Sequence, residues 1–204
     1  MLKVKVCGMV DALNTFEVDQ LCPDFLGFIF YPQSPRYVGS NFQIPKIGTA
    51  KRVGVFVNQP IGYVMGQIKR HHLDGVQLHG SELAEYAEEI KQLGVTVIKA
   101  FSIHNGFDFR PLSTYNAAVD YFLFDAKGEH FGGNGVAFDW DILNQYVGSI
   151  PFFLSGGISL VNIYQAFNVR HPLIAGVDVN SGVEVKPGFK DIDKVRSIIQ
   201  IIRN

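Results

Sequence analysis

The sequence predicts a single (β/α)8 barrel, and three observations predict it. Eight short apolar runs recur along the 204 residues with starts 20 to 30 residues apart. That interval is about the length of one strand, one helix and two short turns. The runs are near-continuous in apolar residues rather than alternating, as parallel strands are when helices cover them outside and side chains fill the space within. No shift in composition marks a boundary, so residues 1–204 read as one domain, short for eight complete units. Trimmed helices and few insertions are therefore expected.

Taken in order, the runs are Val4–Cys7, Phe25–Phe30, Val53–Val57, Gly75–Leu78, Val95–Ala100, Tyr121–Phe124, Pro151–Leu154 and Ile174–Val179. After the first, Asp11 to Leu21 sets Leu13, Phe16, Val18 and Leu21 at mixed helical spacings, with Asp11 placed to cap. A long connection, Tyr31–Gly39, follows the second run. His71 and His72 fall at a helix end, where the helix dipole accounts for them. Ser81-Glu82-Leu83 opens the next helix; Ser81 can cap it, and Leu83, Ala87, Ile90 and Leu93 form its expected buried stripe. Pro111 interrupts Asn105–Asn116, so the fifth helix is expected to be short or irregular. The connection Ala126–Val136 is rich in glycine and reads as a mobile loop over the barrel mouth. The last helix, Asp191 to Ile202, carries Ile192, Val195, Ile198, Ile199 and Ile202 at strong helical spacing. The units resemble one another in pattern, not in residues.

Composition narrows the function. A net charge of −1 and the lack of any Lys/Arg cluster argue against a nucleic-acid partner. Cys7 and Cys22 have neither a metal nor a redox spacing, and two cysteines make no disulfide framework. Met1 to Lys5 lacks the apolar core of a signal peptide, and no apolar run is long enough to span a bilayer. The expectation is a soluble cytoplasmic protein with no membrane partner, acting as a monomer or homodimer.

In a (β/α)8 barrel the strand C-termini form the active-site face. Cys7 ends the first strand; a thiolate is expected to be favoured there by helix N-termini, the plain alternative being a small buried apolar side chain. Asp125 follows Phe122-Leu123-Phe124 and should project into the mouth from across the barrel. Partial burial would make it a proton donor, unless it merely caps a turn. An acid and a base on opposite walls suit a proton-shuttling isomerase. Ser155-Gly156-Gly157 after strand seven and Asn180-Ser181-Gly182 after strand eight are glycine turns whose amides can approach a phosphate. Arg36, in the second loop, can grip a carboxylate in bidentate fashion or lie on the surface. Gln77 and His79 end strand four, His79 reading as a hydrogen-bonded structural residue. Cys22 reads as a turn residue. No metal-ligand spacing and no Ser-His-Asp arrangement stands out.

Several of these segments together resemble the phosphoribosylanthranilate isomerase family over nearly the whole chain. They are Lys5-Val6-Cys7-Gly8-Met9, Gly27-Phe28-Ile29-Phe30-Tyr31 with Ser34-Pro35-Arg36-Tyr37, Val53-Gly54-Val55-Phe56-Val57 and Val76-Gln77-Leu78-His79-Gly80. Further along come Phe124-Asp125, Gly132-Gly133-Asn134-Gly135 leading to Phe138-Asp139-Trp140, Ser155-Gly156-Gly157, and Asp178-Val179-Asn180-Ser181-Gly182-Val183-Glu184. The resemblance implies a (β/α)8 barrel and an Amadori rearrangement of N-(5-phosphoribosyl)anthranilate in tryptophan biosynthesis, with no metal or organic cofactor. It implies Cys7 as general base and Asp125 as general acid. Arg36 would hold the anthranilate carboxylate, Asp178 would lie near the substrate amine, and amides around Gly156, Gly157, Ser181 and Gly182 would cradle the phosphate. Val10, Val136-Ala137 and Asn180 depart from the family pattern without removing an acid, base or anchor.

Two rivals remain at this point. The analogous histidine-pathway isomerase uses aspartates where this chain has Cys7 and Asp125, and its larger substrate wants a second phosphate grip. A non-catalytic phosphosugar-binding barrel would keep the glycine turns but has no reason to keep both Cys7 and Asp125.

Overall fold

The computed structural model describes residues 1–126 and 140–203. Eight parallel strands close into a barrel in sequential order, the last pairing back onto the first. They are β1 (Lys3–Val6), β2 (Phe25–Ile29), β3 (Lys51–Phe56), β4 (Gly75–Leu78), β5 (Thr96–Ile103), β6 (Tyr121–Ala126), β7 (Phe152–Ser155) and β8 (Ile174–Val179). Each coincides with a predicted run, its ends moved by at most three residues. Alternate side chains point inward, and Phe25, Val53, Ile98, Ala100, Leu123 and Phe153 fill the barrel interior. The other faces of the strands carry Val4, Phe28, Phe56, Val76 and Phe122 into the larger core beneath the helices.

The outer layer is trimmed, as the chain length requires. The α-helices are α1 (Ala12–Asp19), α2 (Ile61–His71), α3 (Ala84–Lys91), α4 (Ile163–Asn168) and α5 (Ile192–Arg203). After β5 and β6 the covering elements are 3-10 helices, Arg110–Tyr115 and Trp140–Gln145. Pro111 stands in the first turn of the former, where a missing amide hydrogen does no harm. α5 buries Val195, Ile198, Ile199 and Ile202 as its spacing predicts, with Ile192 half-buried. Among the described residues no helix is long and apolar enough to cross a membrane.

Three helix expectations are corrected. Asp11 does cap α1, its carboxylate accepting from the Asn14 amide at 2.8 Å, but Leu13 is 69% and Phe16 49% exposed. The buried face instead carries Asn14, Thr15 and Val18. Asn14 is drawn inward because it bonds the Lys190 backbone twice, Nδ2 to the carbonyl at 2.9 Å and Oδ1 from the amide at 2.7 Å. In α3 the capping position is Leu83, and Leu83 and Leu93 are exposed. Ser81 bonds Asn58 Oδ1, and Glu82 turns inward to meet Lys99 Nζ at 3.3 Å; both members of that pair are buried. His71 is buried against Phe30, and burial pushes its pKa down, so the helix dipole is not its reason for being there.

The units also share one residue type after all. Asp24, Asp74 and Asp120 precede β2, β4 and β6, and each carboxylate accepts the amide at or next to the start of the preceding odd strand, from Val4, Arg52 and Val97, all at 2.8 Å. Each aspartate amide also donates to the carbonyl of that same residue at 2.9 Å. These clamps lie at the strand N-termini, the end of a barrel where fixed residues serve stability.

Between β8 and α5 a small antiparallel hairpin, β9 (Glu184–Lys186) and β10 (Phe189–Lys190), rises beside the mouth. Periodicity gives no sign of it.

Candidate active site

Barrel register decides which side chains meet at the mouth. Lys5 on β1 lies opposite Asp178 on β8, and Asp125 on β6 lies opposite Ser155 on β7. Cys7 follows β1 directly. Its amide donates to the Val179 carbonyl at 2.9 Å, and the Gly27 carbonyl accepts the amides of Gly8 and Met9 at 2.9 and 3.0 Å. The turn is thereby tied to both neighbouring strands. Gly8 adopts φ +78°, and a Cβ there would stand 2.6 Å from Asn180 Oδ1 and 2.7 Å from Arg36 Cδ, so only glycine admits those two side chains.

Cys7 is buried, and burial pushes its thiol pKa up; Lys5 and Lys190 pull it down, while Asp178 adds to the rise. Desolvation thus works against the expected ready thiolate, and the nearby cations work for it. Lys5 Nζ donates to Asp178 Oδ1 at 2.9 Å in the buried barrel interior. Burial works against the Lys5 ammonium, but Asp178 and Cys7 together outweigh it and hold its pKa above the ordinary value. Burial likewise raises the Asp178 carboxyl, with Lys5 opposing. Ser155 Oγ donates to Asp178 Oδ2 at 3.4 Å.

Asp125 is half-buried at the end of β6, its Oδ2 3.6 Å from His79 Nε2. His79 Nδ1 in turn lies 2.8 Å from the amide nitrogen of buried Gln77. Asp125 thus faces the mouth rather than capping a turn, and His79, a structural residue by its sequence, meets the candidate acid.

Arg36 is held, not a free surface group. Its Nε lies 2.9 Å from Glu184 Oε1 and its Nη2 2.6 Å from Oε2. Glu184 Oε1 also accepts from Lys190 Nζ at 2.7 Å and from the Gly188 amide at 3.0 Å. Burial alone would raise the Glu184 carboxyl, but the hydrogen bonds from Arg36 and Lys190 outweigh it and hold it below the usual range. Lys190 Nζ reaches Asn180 Oδ1 at 2.8 Å, which gives the departure at Asn180 a role in holding this cation.

The two glycine turns pack on each other. Gly156 and Gly157 take φ of +102° and +66°, and Ser181 opens a single 3-10 turn, Ser181–Val183, directly after β8. A Cβ on Gly182 would stand 2.1 Å from the Ile158 carbonyl oxygen, so the two turns meet backbone to backbone. Asn162 braces the first, donating from Nδ2 to the Gly157 carbonyl at 3.0 Å.

The structure thus brings Cys7, Asp178, Arg36 and the Ser181-Gly182 turn together, with Asp125 close enough to Asp178 to act on its charge. The glycine-rich segment at 127–136, Ala137 and the Phe138-Asp139 pair lie outside the described residues. Sequence reasoning missed Lys5, Ser155, Glu184 and Lys190 as members of the site. For Lys5 a signal existed, since a lysine inside an apolar barrel strand must find a buried counter-charge.

The fold and this mouth define a (β/α)8-barrel enzyme whose candidate acid, base and anion-holding groups stand at the strand C-termini. A family model for N-(5'-phosphoribosyl)anthranilate isomerase matches residues 4–201. The Parabacteroides distasonis N-(5'-phosphoribosyl)anthranilate isomerase is 44% identical over 98% of this chain and 92% of its own length. The crystal structure of the Thermotoga maritima phosphoribosylanthranilate isomerase superimposes with a TM-score of 0.86 at 33% identity, covering 100% of this chain and 99% of the other. A crystal structure of such an isomerase in complex with reduced 1-(o-carboxyphenylamino)-1-deoxyribulose 5-phosphate gives a TM-score of 0.84 at 31% identity, covering 100% and 99%. The chain belongs to the phosphoribosylanthranilate isomerase family, enzymes of tryptophan biosynthesis.

Proposed function

We propose that this chain rearranges N-(5-phosphoribosyl)anthranilate with Cys7 as base and Asp125 as acid. The observation that carries the reading is the convergence of Cys7, Asp178 and Arg36 on one turn beside two packed glycine turns, all at strand C-termini.

Asp125 in its protonated form donates to the ribose ring oxygen. The C1′–O4′ bond breaks as the anilino nitrogen lone pair forms C1′=N, giving a protonated Schiff base. The iminium draws electrons from C2′, and the Cys7 thiolate removes the C2′ proton to leave a neutral enolamine. Loss of the 2′-hydroxyl proton and protonation at C1′ then yield the aminoketone. Asp178 faces the nitrogen as positive charge develops there. Arg36, pre-set by Glu184, grips the anthranilate carboxylate, and amides of Gly156, Gly157, Ser181 and Gly182 hold the phosphate. Acid–base help of this kind contributes about 10²–10⁴-fold, so the two clamps that position the substrate matter comparably. The substrate supplies its own electron sink. We place the enzyme in the cytoplasm, as a monomer or homodimer.

The test follows loss of anthranilate fluorescence on adding freshly generated substrate, beside Cys7→Ser and Asp125→Asn. Turnover by the parent that collapses in both variants, with phosphate-ligand binding retained, is expected. Unchanged turnover in either variant moves that role to another residue. A folded parent with binding but no turnover would favour a phosphosugar-binding barrel.

A further inference from the structure

The reaction as proposed leaves a buried ammonium unused. Lys5 points inward from β1, two residues below Cys7 and on the same face of the strand. It is fully buried, its Nζ 2.9 Å from Asp178 Oδ1, and it stands close enough to Cys7 for the two charges to act on each other. An interior lysine disfavours folding unless paired, and an apolar side chain would fill the barrel with no such penalty. We infer that Lys5 is a positioning residue for the base: its ammonium, locked by Asp178, supports the thiolate of Cys7 in a site otherwise too dry to hold one. The inference rests on Cys7 being the base.

The groups facing Cys7 come from every element around it. Lys5 lies below, Asp178 on β8, Lys190 on the hairpin, and Arg36 on the loop after β2, while Glu184 pairs with both Arg36 and Lys190. Asp125 and His79 act on Asp178 from the far side. Leaving the imidazole aside, three cations (Lys5, Arg36, Lys190) face two paired carboxylates (Asp178, Glu184), so the cluster accommodates one further negative charge. The proposed reaction starts with that charge on Cys7 and the transferable proton on Asp125. After proton donation to O4′ and abstraction from C2′ it belongs on Asp125, with Cys7 protonated. The charge balance is the same at both stages, and Lys5 is the cation next to the sulfur when the charge sits there.

The test is a pH titration of ultraviolet thiolate absorbance, each protein measured against the same protein carrying Cys7→Ser. The subtraction cancels exposed Cys22 and requires no reagent to reach a buried sulfur. Lys5→Met should move the Cys7 midpoint to higher pH by about one unit or more, a tenfold loss of thiolate near neutrality. Asp178→Asn should move it down, because a buried ammonium that loses its carboxylate turns to the thiolate as its remaining counter-charge. A lysine without influence on the sulfur would leave the midpoint in place when its charge is removed. If Lys5→Met does not fold, Lys5→Gln, which keeps a polar chain without the charge, is titrated in its place and should also move the midpoint up. A Cys7 midpoint unmoved, or moved the same way in both variants, overturns the inference. Turnover is read separately: a Cys7→Ser protein that still turns over would sink the base assignment while leaving the titration to speak for Lys5.

Discussion

Gly27→Ala tests how closely the site is built. Gly27 points into the barrel from β2, and a Cβ there would stand 2.7 Å from Cys7 Sγ, 3.1 Å from its Cα and 3.2 Å from its Cβ. Ordinary contacts between such atoms are about 3.5–4.0 Å, so the methyl group needs close to ~1 Å of movement. The backbone resists, because the Gly27 carbonyl itself holds the amides of Gly8 and Met9. The sulfur must therefore swing away. Overpacking of this kind costs about 1–3 kcal/mol, more than the roughly 0.4–1 kcal/mol gained by stiffening the unfolded chain. For a chain of this size the net cost, up to about 2.6 kcal/mol, lowers Tm by up to about 10 °C. A reacting group misplaced by about 1 Å loses on the order of 100-fold in rate, so kcat should fall while KM, set by the remote phosphate and carboxylate grips, changes little. Thermal denaturation and the fluorescence assay measure the two effects. Adding Cys7→Ala to the variant should recover much of the stability, a coupling of about 0.5–3 kcal/mol between neighbours. A Gly27→Ala protein with parental rate and Tm would refute the close approach of β2 to the sulfur.

Three other outcomes follow from the same contacts. Asp74→Ala removes the acceptor for the Arg52 amide at the far end of the barrel and should cost about 1–2 kcal/mol in urea denaturation with kcat unchanged; a folded variant with reduced kcat would show that the two ends are not independent. Glu82→Ala strands the buried Lys99 ammonium and should cost about 3–5 kcal/mol, whereas Glu82→Leu with Lys99→Met together should cost far less; equal losses in urea would argue that packing, not charge, governs the site. Glu184→Gln loosens Arg36 and should raise KM about tenfold or more with a smaller effect on kcat, as steady-state kinetics would show. Because the Glu184 carboxyl is held below its ordinary 4.5, its stabilising contribution is complete above that pH and is lost as pH falls through the depressed value. The Glu184→Gln protein should accordingly show a flatter acid limb in stability against pH, and a limb as steep as the parent's would count against the cradle.

The barrel was legible because strand spacing and continuous apolar runs are local properties that every unit repeats. Helix faces were less so. Periodicity assumes that apolar residues point inward, and α1 breaks the assumption because the double bond of Asn14 to Lys190 draws a polar residue in. α3 breaks it because Glu82 follows Lys99 into the sheet–helix layer. Position at strand ends and in the second loop singled out Cys7, Asp125, Arg36 and the glycine turns, and the resemblance added Asp178 and the role of each. Their charge partners stayed hidden for a different reason: Lys5 meets Asp178 and Arg36 meets Glu184 only when the last strand closes on the first. Such pairings belong to the closed barrel, and no local window contains them.

The hairpin β9–β10 ties these observations together. A barrel needs no strands between β8 and its last helix, yet here they carry Glu184 and Lys190 to the Cys7 side of the mouth. Lys190 is fully buried and its pKa is pushed down by burial, which weakens the cation on that side of the sulfur. Glu184 opposes that loss, Asn180 adds a hydrogen bond, and Asn14 fixes the backbone from α1. The exposed Leu13 and Phe16 are the consequence of that choice. α1 is turned so that an amide faces the hairpin, and the helix gives up burial of two large apolar side chains to keep one lysine aimed at the mouth. Such an exchange is unfavourable for stability by itself. It fits the proposal that the placement of charge around Cys7 matters more here than the area buried.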